Sequence, residues 1–221
     1  MCVARPFALE LEYQRLMMAV GLFLPEPRRI VQLGLGAAAL TKFCWREVPS
    51  ASVFAVELSV DVIDAARAWF CLPPDDARLT IVNADASKFI GHPRQRRCAD
   101  WLQVDLYDAA ARGPVYDDVG FYTACRRSLR SPGVASFNLF GSKFDPSFAA
   151  IASAFEDRVL VLPEVDAGNR VVLAVVGPPI DVPFSALDER ARELEVRWKL
   201  KARGWVAGLR RANTFGPRFE L

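Results

Sequence analysis

The 221-residue sequence predicts an α/β chain built on a doubly wound, mostly parallel sheet that ends in a C-terminal antiparallel hairpin. Two observations carry this. Short apolar runs alternate with amphipathic stretches from Arg29 to Asn138, which is the pattern of βαβ units around a parallel sheet. Beyond them, "RVLVLPEVDAGNRVVLAVVG" holds two β-branched runs joined across Asp166-Ala167-Gly168-Asn169, the composition of a β-hairpin.

The elements follow in order. The amphipathic "FALELEYQRLMMAVGLFL" predicts a helical lead-in over residues 1–27, with the Met17-Met18 pair as core filling. Strands are read at "RIVQLG", "SVFAVEL", "RLTIVNA", "CADWLQVD" and "GVASFNL". The stretches between them, "AALTKFCWREV", "SVDVIDAARAWFCL", "DASKFI" and "YDDVGFYTACRRSL", carry helical spacing, with Ser59 or Asp61 as an N-cap and Pro73-Pro74 as a stop. A further helix near Pro146 to Phe155 precedes the hairpin. Residues 28–180 thus form one domain, with the strand plan of class I methyltransferase-like, Rossmann-like folds. Over residues 181–221, "SALDERARELEVRWKLKARG" predicts a mixed-charge helix ended by Gly204. It is anchored on the domain edge by Leu187, Leu194 and Trp198 and followed by a basic tail.

Composition excludes several function classes. The 28 Lys plus Arg against 26 Asp plus Glu leave a charge of +2, so no global field favours nucleic acid or an anionic membrane as partner. The runs "RQRRC" and "LRRANTFGPR" read as solvated loops and tails. Five cysteines without a Cys-x-x-Cys pair, and no apolar signal core at the start, predict a reduced, cytoplasmic protein. One histidine, His92, in a loop-like "IGHPRQ" leaves too few ligands for a structural metal site, and no metal is expected.

Candidate site residues stand at the carboxyl ends of the predicted strands, where open α/β sheets bind ligands. In "VQLGLGAAAL", Gly34 and Gly36 form a turn between strand and helix, and Ala39 stands where a third glycine would complete a dinucleotide fingerprint. Glu57 closes the next strand, where a carboxylate accepts both ribose hydroxyls. Asp85 and Ala86 end the third strand, in reach of an adenine edge, and Asp105 ends the fourth. A turn or cap explains any one of them equally well. Four in register favour a nucleoside site.

The blocks "LGLGAAAL", "AVELSVDVIDAARAWFCLP", "RLTIVNADASKFI", "DWLQVDLYDAAARGPVY" and "FYTACRRSLRSPGVASFNLF" resemble the spermidine synthase family, the polyamine aminopropyltransferases, from Arg28 to Phe140. The resemblance implies that Glu57 holds the ribose, Asp85 and Ala86 the adenine, and that Asp105 is the acid at the reacting centre. It assigns Asp108 to the amine substrate. Tyr13 and Gln14, in "LEYQRLM", stand where the family has a Tyr-His-Glu run lining the substrate pocket. The implied partners are S-adenosylmethionine or its decarboxylated form as cosubstrate, a small amine as acceptor, and a second copy of the chain in a homodimer.

Four departures bear on the substrate. Ala37 replaces the acid of the family's Gly-Gly-Gly-Asp-Gly loop, Arg15 puts a base where the Tyr-His-Glu run ends in an acid, and Ala rather than Pro follows Asp108. The small N-terminal β domain that precedes the Tyr-His-Glu run in the family is expected to be missing. Three functions follow as alternatives: aminopropyl transfer from decarboxylated S-adenosylmethionine to a putrescine-like polyamine, methyl transfer from S-adenosylmethionine to a small molecule, or a non-catalytic nucleoside-binding or dimerisation relative. Loss of the acid at position 37 removes a repulsion against the carboxylate of intact S-adenosylmethionine.

Overall fold

A computed structural model describes residues 4–108, 113–141, 144–166 and 168–221. Strands β1 (Arg29–Leu33), β2 (Ser52–Glu57), β3 (Leu79–Asn83), β4 (Ala99–Val104) and β5 (Leu129–Phe140) are mutually parallel. Beside them lie β6 (Val159–Val161) and β7 (Asn169–Val176), with β7 antiparallel to both β5 and β6. The sheet order is β3-β2-β1-β4-β5-β7-β6. Connections leave β1 in one direction and β4 in the other, so the two adjacent strands form a switch point with a crevice outside their carboxyl ends.

Helices α2 (Ala39–Glu47), α3 (Val60–Trp69), α4 (Ala86–Gly91) and α5 (Val119–Ser128) link successive parallel strands, and α6 (Phe144–Ala154) leads to the hairpin. Every residue of β4 is buried, which is why a central parallel strand reads as an unbroken apolar run. Its side chains alternate between two cores. Trp101 joins Met17, Met18, Phe43 and Trp198 on one face, and Leu102 joins Val31, Phe121, Phe137 and Phe155 on the other. Ser59 caps α3 as expected, its hydroxyl accepting the Val62 N–H at 3.3 Å.

The termini differ from expectation. The lead-in helix α1 covers only Glu12–Met17 and tightens into a 3-10 turn over Met18–Leu22. Packing explains the turn: a Cβ on Gly21 would lie 2.4 Å from Trp198 Cη2, so the chain there is pressed against another helix. Beyond the hairpin come β8 (Asp181–Val182), α7 (Phe184–Trp198), α8 (Arg203–Ala212) and β9 (Phe219–Glu220). Helix α7 ends at Lys199, which takes the left-handed conformation with φ 57°, and Gly204 lies inside α8. The basic tail therefore begins within a helix, which has Trp205, Val206 and Leu209 buried on one face and Arg210 and Arg211 exposed on the other, and leaves it after Ala212. Helix α7 also sits deeper than an edge helix, because Leu187, Ala191, Leu194 and Trp198 are all buried at the spacing of one helical stripe.

Met17 and Met18 are fully buried. Cys44, Cys71, Cys98 and Cys125 are free thiols, while Cys2 and the hairpin's Ala167 lie outside the described residues. Among the described residues no helix is long and apolar enough to cross a membrane.

Candidate functional site

The crevice begins where β1 and β4 end. The Asp105 N–H donates to the Leu33 carbonyl at 2.9 Å and the Gly34 N–H to the Val56 carbonyl at 2.9 Å, so three strand ends are tied together. Gly34 has φ +95°, and a Cβ there would meet the Asp105 carbonyl oxygen at 2.1 Å. Only glycine satisfies both constraints. Gly36 also has positive φ, +50°, but a Cβ on it would find nothing within 4 Å. The first glycine brings backbone against backbone, and the second faces open space where a ligand can approach.

Glu57 is fixed by that same turn. Its Oε2 accepts the Leu35 N–H at 3.1 Å and its Oε1 the Ser59 N–H at 3.0 Å. Each oxygen keeps further acceptor capacity, as a carboxylate offers about four lone-pair sites. Asn83 Nδ2 donates to the carbonyls of Glu57 and Leu58 at 3.0 and 2.9 Å, which ties β3 to the same corner.

Asp85 is the N-cap of α4, with Oδ1 accepting the Lys88 N–H at 2.8 Å and Oδ2 accepting the Tyr116 hydroxyl. The Tyr116 bond first, and the Lys88 N–H second, hold its carboxyl below the usual carboxylate range. Asp85 thus caps a helix and accepts a tyrosine hydroxyl at the end of β3. Ala86 follows as the buried first residue of α4.

Asp105 is half-buried on the crevice floor. Asn138 Nδ2 donates to its Oδ1 at 2.8 Å and the Tyr13 hydroxyl to its Oδ2 at 3.3 Å. Behind these, Asn169 Nδ2 donates to Asn138 Oδ1 at 3.0 Å and Gln14 Nε2 to the Tyr13 hydroxyl at 3.4 Å. Desolvation raises the Asp105 carboxyl above the usual range, against the two hydrogen bonds that pull it down. Burial, then the charge of Asp105, pushes the Tyr13 hydroxyl well above its ordinary value, so it stays a protonated donor.

The structure brings Tyr13 and Gln14 to Asp105, although they stand some 90 residues away in sequence. The helix carrying them is capped from a distance: Asp166, in the β6–β7 turn, accepts the Tyr13 N–H at 2.6 Å. Arg15 corrects the expectation drawn from its position. Its guanidinium donates to the carbonyls of Leu9 and Glu10 at 2.7 and 3.0 Å, on the side of α1 away from Tyr13, and it places no cation beside Asp105. Asp108 is exposed; the alanine that follows it falls in 109–112, outside the described residues.

Three contributors were not singled out in the sequence: Asn138, Asn169 and Tyr116. A signal for the first existed. Gln32, Gln103 and Ser136 lie side by side in register on β1, β4 and β5, all buried, and Asp105 and Asn138 stand two residues further along. Polar residues at period two within buried apolar strands mark a face that turns polar toward one end.

No family model matches the chain. A polyamine aminopropyltransferase of Chromobacterium violaceum is 33% identical over 210 residues, covering 94% of this chain and 80% of that relative. Among solved structures, a spermidine synthase in complex with the transition state analogue AdoDATO superposes with a TM-score of 0.72 at 23% identity, over 91% of this chain and 73% of that one. Human methyltransferase-like protein 13 in complex with SAH gives 0.73 at 22%, over 85% and 92%. The two structural likenesses establish the class I methyltransferase-like fold. With a third of its residues shared across nearly its whole length with that bacterial relative, the chain belongs to the polyamine aminopropyltransferase, or spermidine synthase, family.

Proposed function

We propose that this chain transfers the aminopropyl group of decarboxylated S-adenosylmethionine to a polyamine acceptor of the putrescine type. The observation that carries the reading is Asp105, a desolvated carboxylate fixed on both oxygens at the switch point, beside the glycine turn and Glu57. An alkylamine, with a pKa of about 10, arrives protonated and has no lone pair for attack. Asp105 attracts the ammonium, orients it and accepts its proton, and its raised pKa makes it a better proton acceptor than an ordinary carboxylate. The freed nitrogen then bonds to the aminopropyl carbon next to sulfur. The carbon–sulfur bond breaks, its electron pair stays on sulfur, and neutral methylthioadenosine leaves.

In this reading Glu57 holds the ribose hydroxyls, Gly34 and Gly36 shape the turn at the nucleoside, and Asp85, Ala86 and Tyr116 border the adenine. Tyr13, Gln14 and Asp108 line the acceptor side. Until it takes the proton, the negative charge at Asp105 also favours binding of the sulfonium.

One observation favours a second reading, methyl transfer from intact S-adenosylmethionine. Position 37 is alanine, and Ala38 provides no side-chain cap for α2, so a donor carboxylate would meet no acid there. Calorimetric titration with both donors and methylthioadenosine separates the two. The expected result is about tenfold or greater preference for the decarboxylated donor, with Glu57→Ala weakening it by at least about tenfold. Preference for the intact donor would move the assignment to methyl transfer, and binding of neither would remove both.

A further inference from the structure

We propose that a cavity between the N-terminal segment and the α7–α8 corner is a second ligand site, for an organic anion: a carboxylate or phosphate on an apolar body. The cavity holds about 550 Å³ and is separate from the catalytic crevice. That volume lies within the ~300–1,000 Å³ of small-molecule pockets. Helix α1 is the wall between the two, with Tyr13 turned to Asp105 while Glu12, Arg15 and Leu16 line the cavity.

Its chemistry is the reverse of the crevice. Phe43, Trp198 and Trp205 supply an aromatic lining, and Leu9, Leu16 and Leu200 extend it. Around these stand Arg5, Arg15, Arg46, Lys199, Lys201 and Arg211, against the three carboxylates of Glu10, Glu12 and Glu47. Arg5 pairs with Glu10 at 3.1 Å and Arg46 with Glu47 at 2.6 Å. Lys199, Lys201 and Arg211 are exposed and have no carboxylate partner among the described residues. The local excess is three positive charges, which repels a polyamine and attracts an anion.

The second observation is Trp198. It is 3% exposed and lines the cavity. The far edge of its six-membered ring is pressed on Gly21, which fixes the side chain in place. Its ring lies among those of Phe43 and Trp205, with centroids 6.4 Å away in each case, and gives the cavity an aromatic wall. Aromatic lining and unpaired cations on one corner together specify a ligand with an apolar body and an anionic head. The shared chemistry admits an aliphatic carboxylate or a nucleoside monophosphate.

The test uses the full chain and the aromatic sulfonate 8-anilinonaphthalene-1-sulfonate, read by energy transfer from tryptophan. One saturable equivalent is expected, displaced either by decanoate or by adenosine monophosphate, which identifies the body, and not by inorganic phosphate. Methylthioadenosine should leave the dye in place. The double variant Lys201→Ala/Arg211→Ala, which alters only exposed side chains, should weaken the dye by about tenfold or more. Trp198→Phe should weaken it too, with near-ultraviolet circular dichroism confirming an intact core. Unchanged affinity in the double variant, displacement by methylthioadenosine, or no saturable binding at millimolar dye would overturn the site. None of these outcomes depends on which group the crevice transfers.

Discussion

Asp105 works against the fold by the same property that suits it to the proposed proton transfer. Its folded-state pKa lies above the ordinary carboxylate value because burial penalises the charge. The folded state therefore binds the proton more tightly than the unfolded chain, and stability present at low pH is lost as pH rises through the folded-state value. Asp105→Asn should melt at a higher temperature than the wild type at pH 8. That advantage should vanish below the ordinary carboxylate pKa of about 3.9, as thermal melts across pH will show. Turnover in the same variant should fall by about 10²–10⁴-fold, the usual worth of a positioned acid or base. The two glycines give a matched pair. Gly34→Ala drives a Cβ into the Asp105 carbonyl and should cost several kcal/mol, about 3 or more, in chemical denaturation. Gly36→Ala meets only left-handed strain, about 1–2 kcal/mol, and should act mainly on nucleoside affinity. Glu57 and Asp105 were legible because each ends a strand recognisable by its own composition. Asn138 and Tyr116 were not, since each is defined by a partner more than thirty residues away.

At the scale of elements, the parallel strands were readable because burial on both faces demands unbroken apolar runs, as in β4. The two helices at the C-terminus were not separable in the same way. Helix α7 stops on Lys199 in a left-handed conformation, where glycine is the usual residue, so the nearest glycine, Gly204, drew the boundary into the next helix. Lys199→Gly should relieve that conformation and raise stability by about 0.5–1 kcal/mol, a shift of about 1–4 °C by calorimetry. Helix α1 shows the opposite failure. Its amphipathic pattern runs on through Leu22, but Gly21 lies too close to Trp198 for a regular helix path to be decided locally. Its N-terminal cap, Asp166, comes from a turn that composition marks only as a turn.

Across the whole molecule, one sheet separates two cores and gathers four loop ends at a single edge, so the residues of the crevice share one rigid support. The strand plan and the crevice residues Gly34, Glu57, Asp85 and Asp105 were legible because they depend on strand ends in chain order. The place of Tyr13 and Gln14 was legible only through family likeness, since they reach Asp105 by packing of α1 over the sheet. The same packing turns Arg15 outward, so a substitution that looks decisive in sequence leaves the electrostatics beside Asp105 unchanged. The measurement that bears most directly on this account is mass spectrometric identification of both products when the protein, with putrescine, is given decarboxylated and intact S-adenosylmethionine in separate reactions. Spermidine and methylthioadenosine from the decarboxylated donor, lost with Asp105→Asn, are expected. S-adenosylhomocysteine from the intact donor, or aminopropyl transfer that survives Asp105→Asn, would contradict the account.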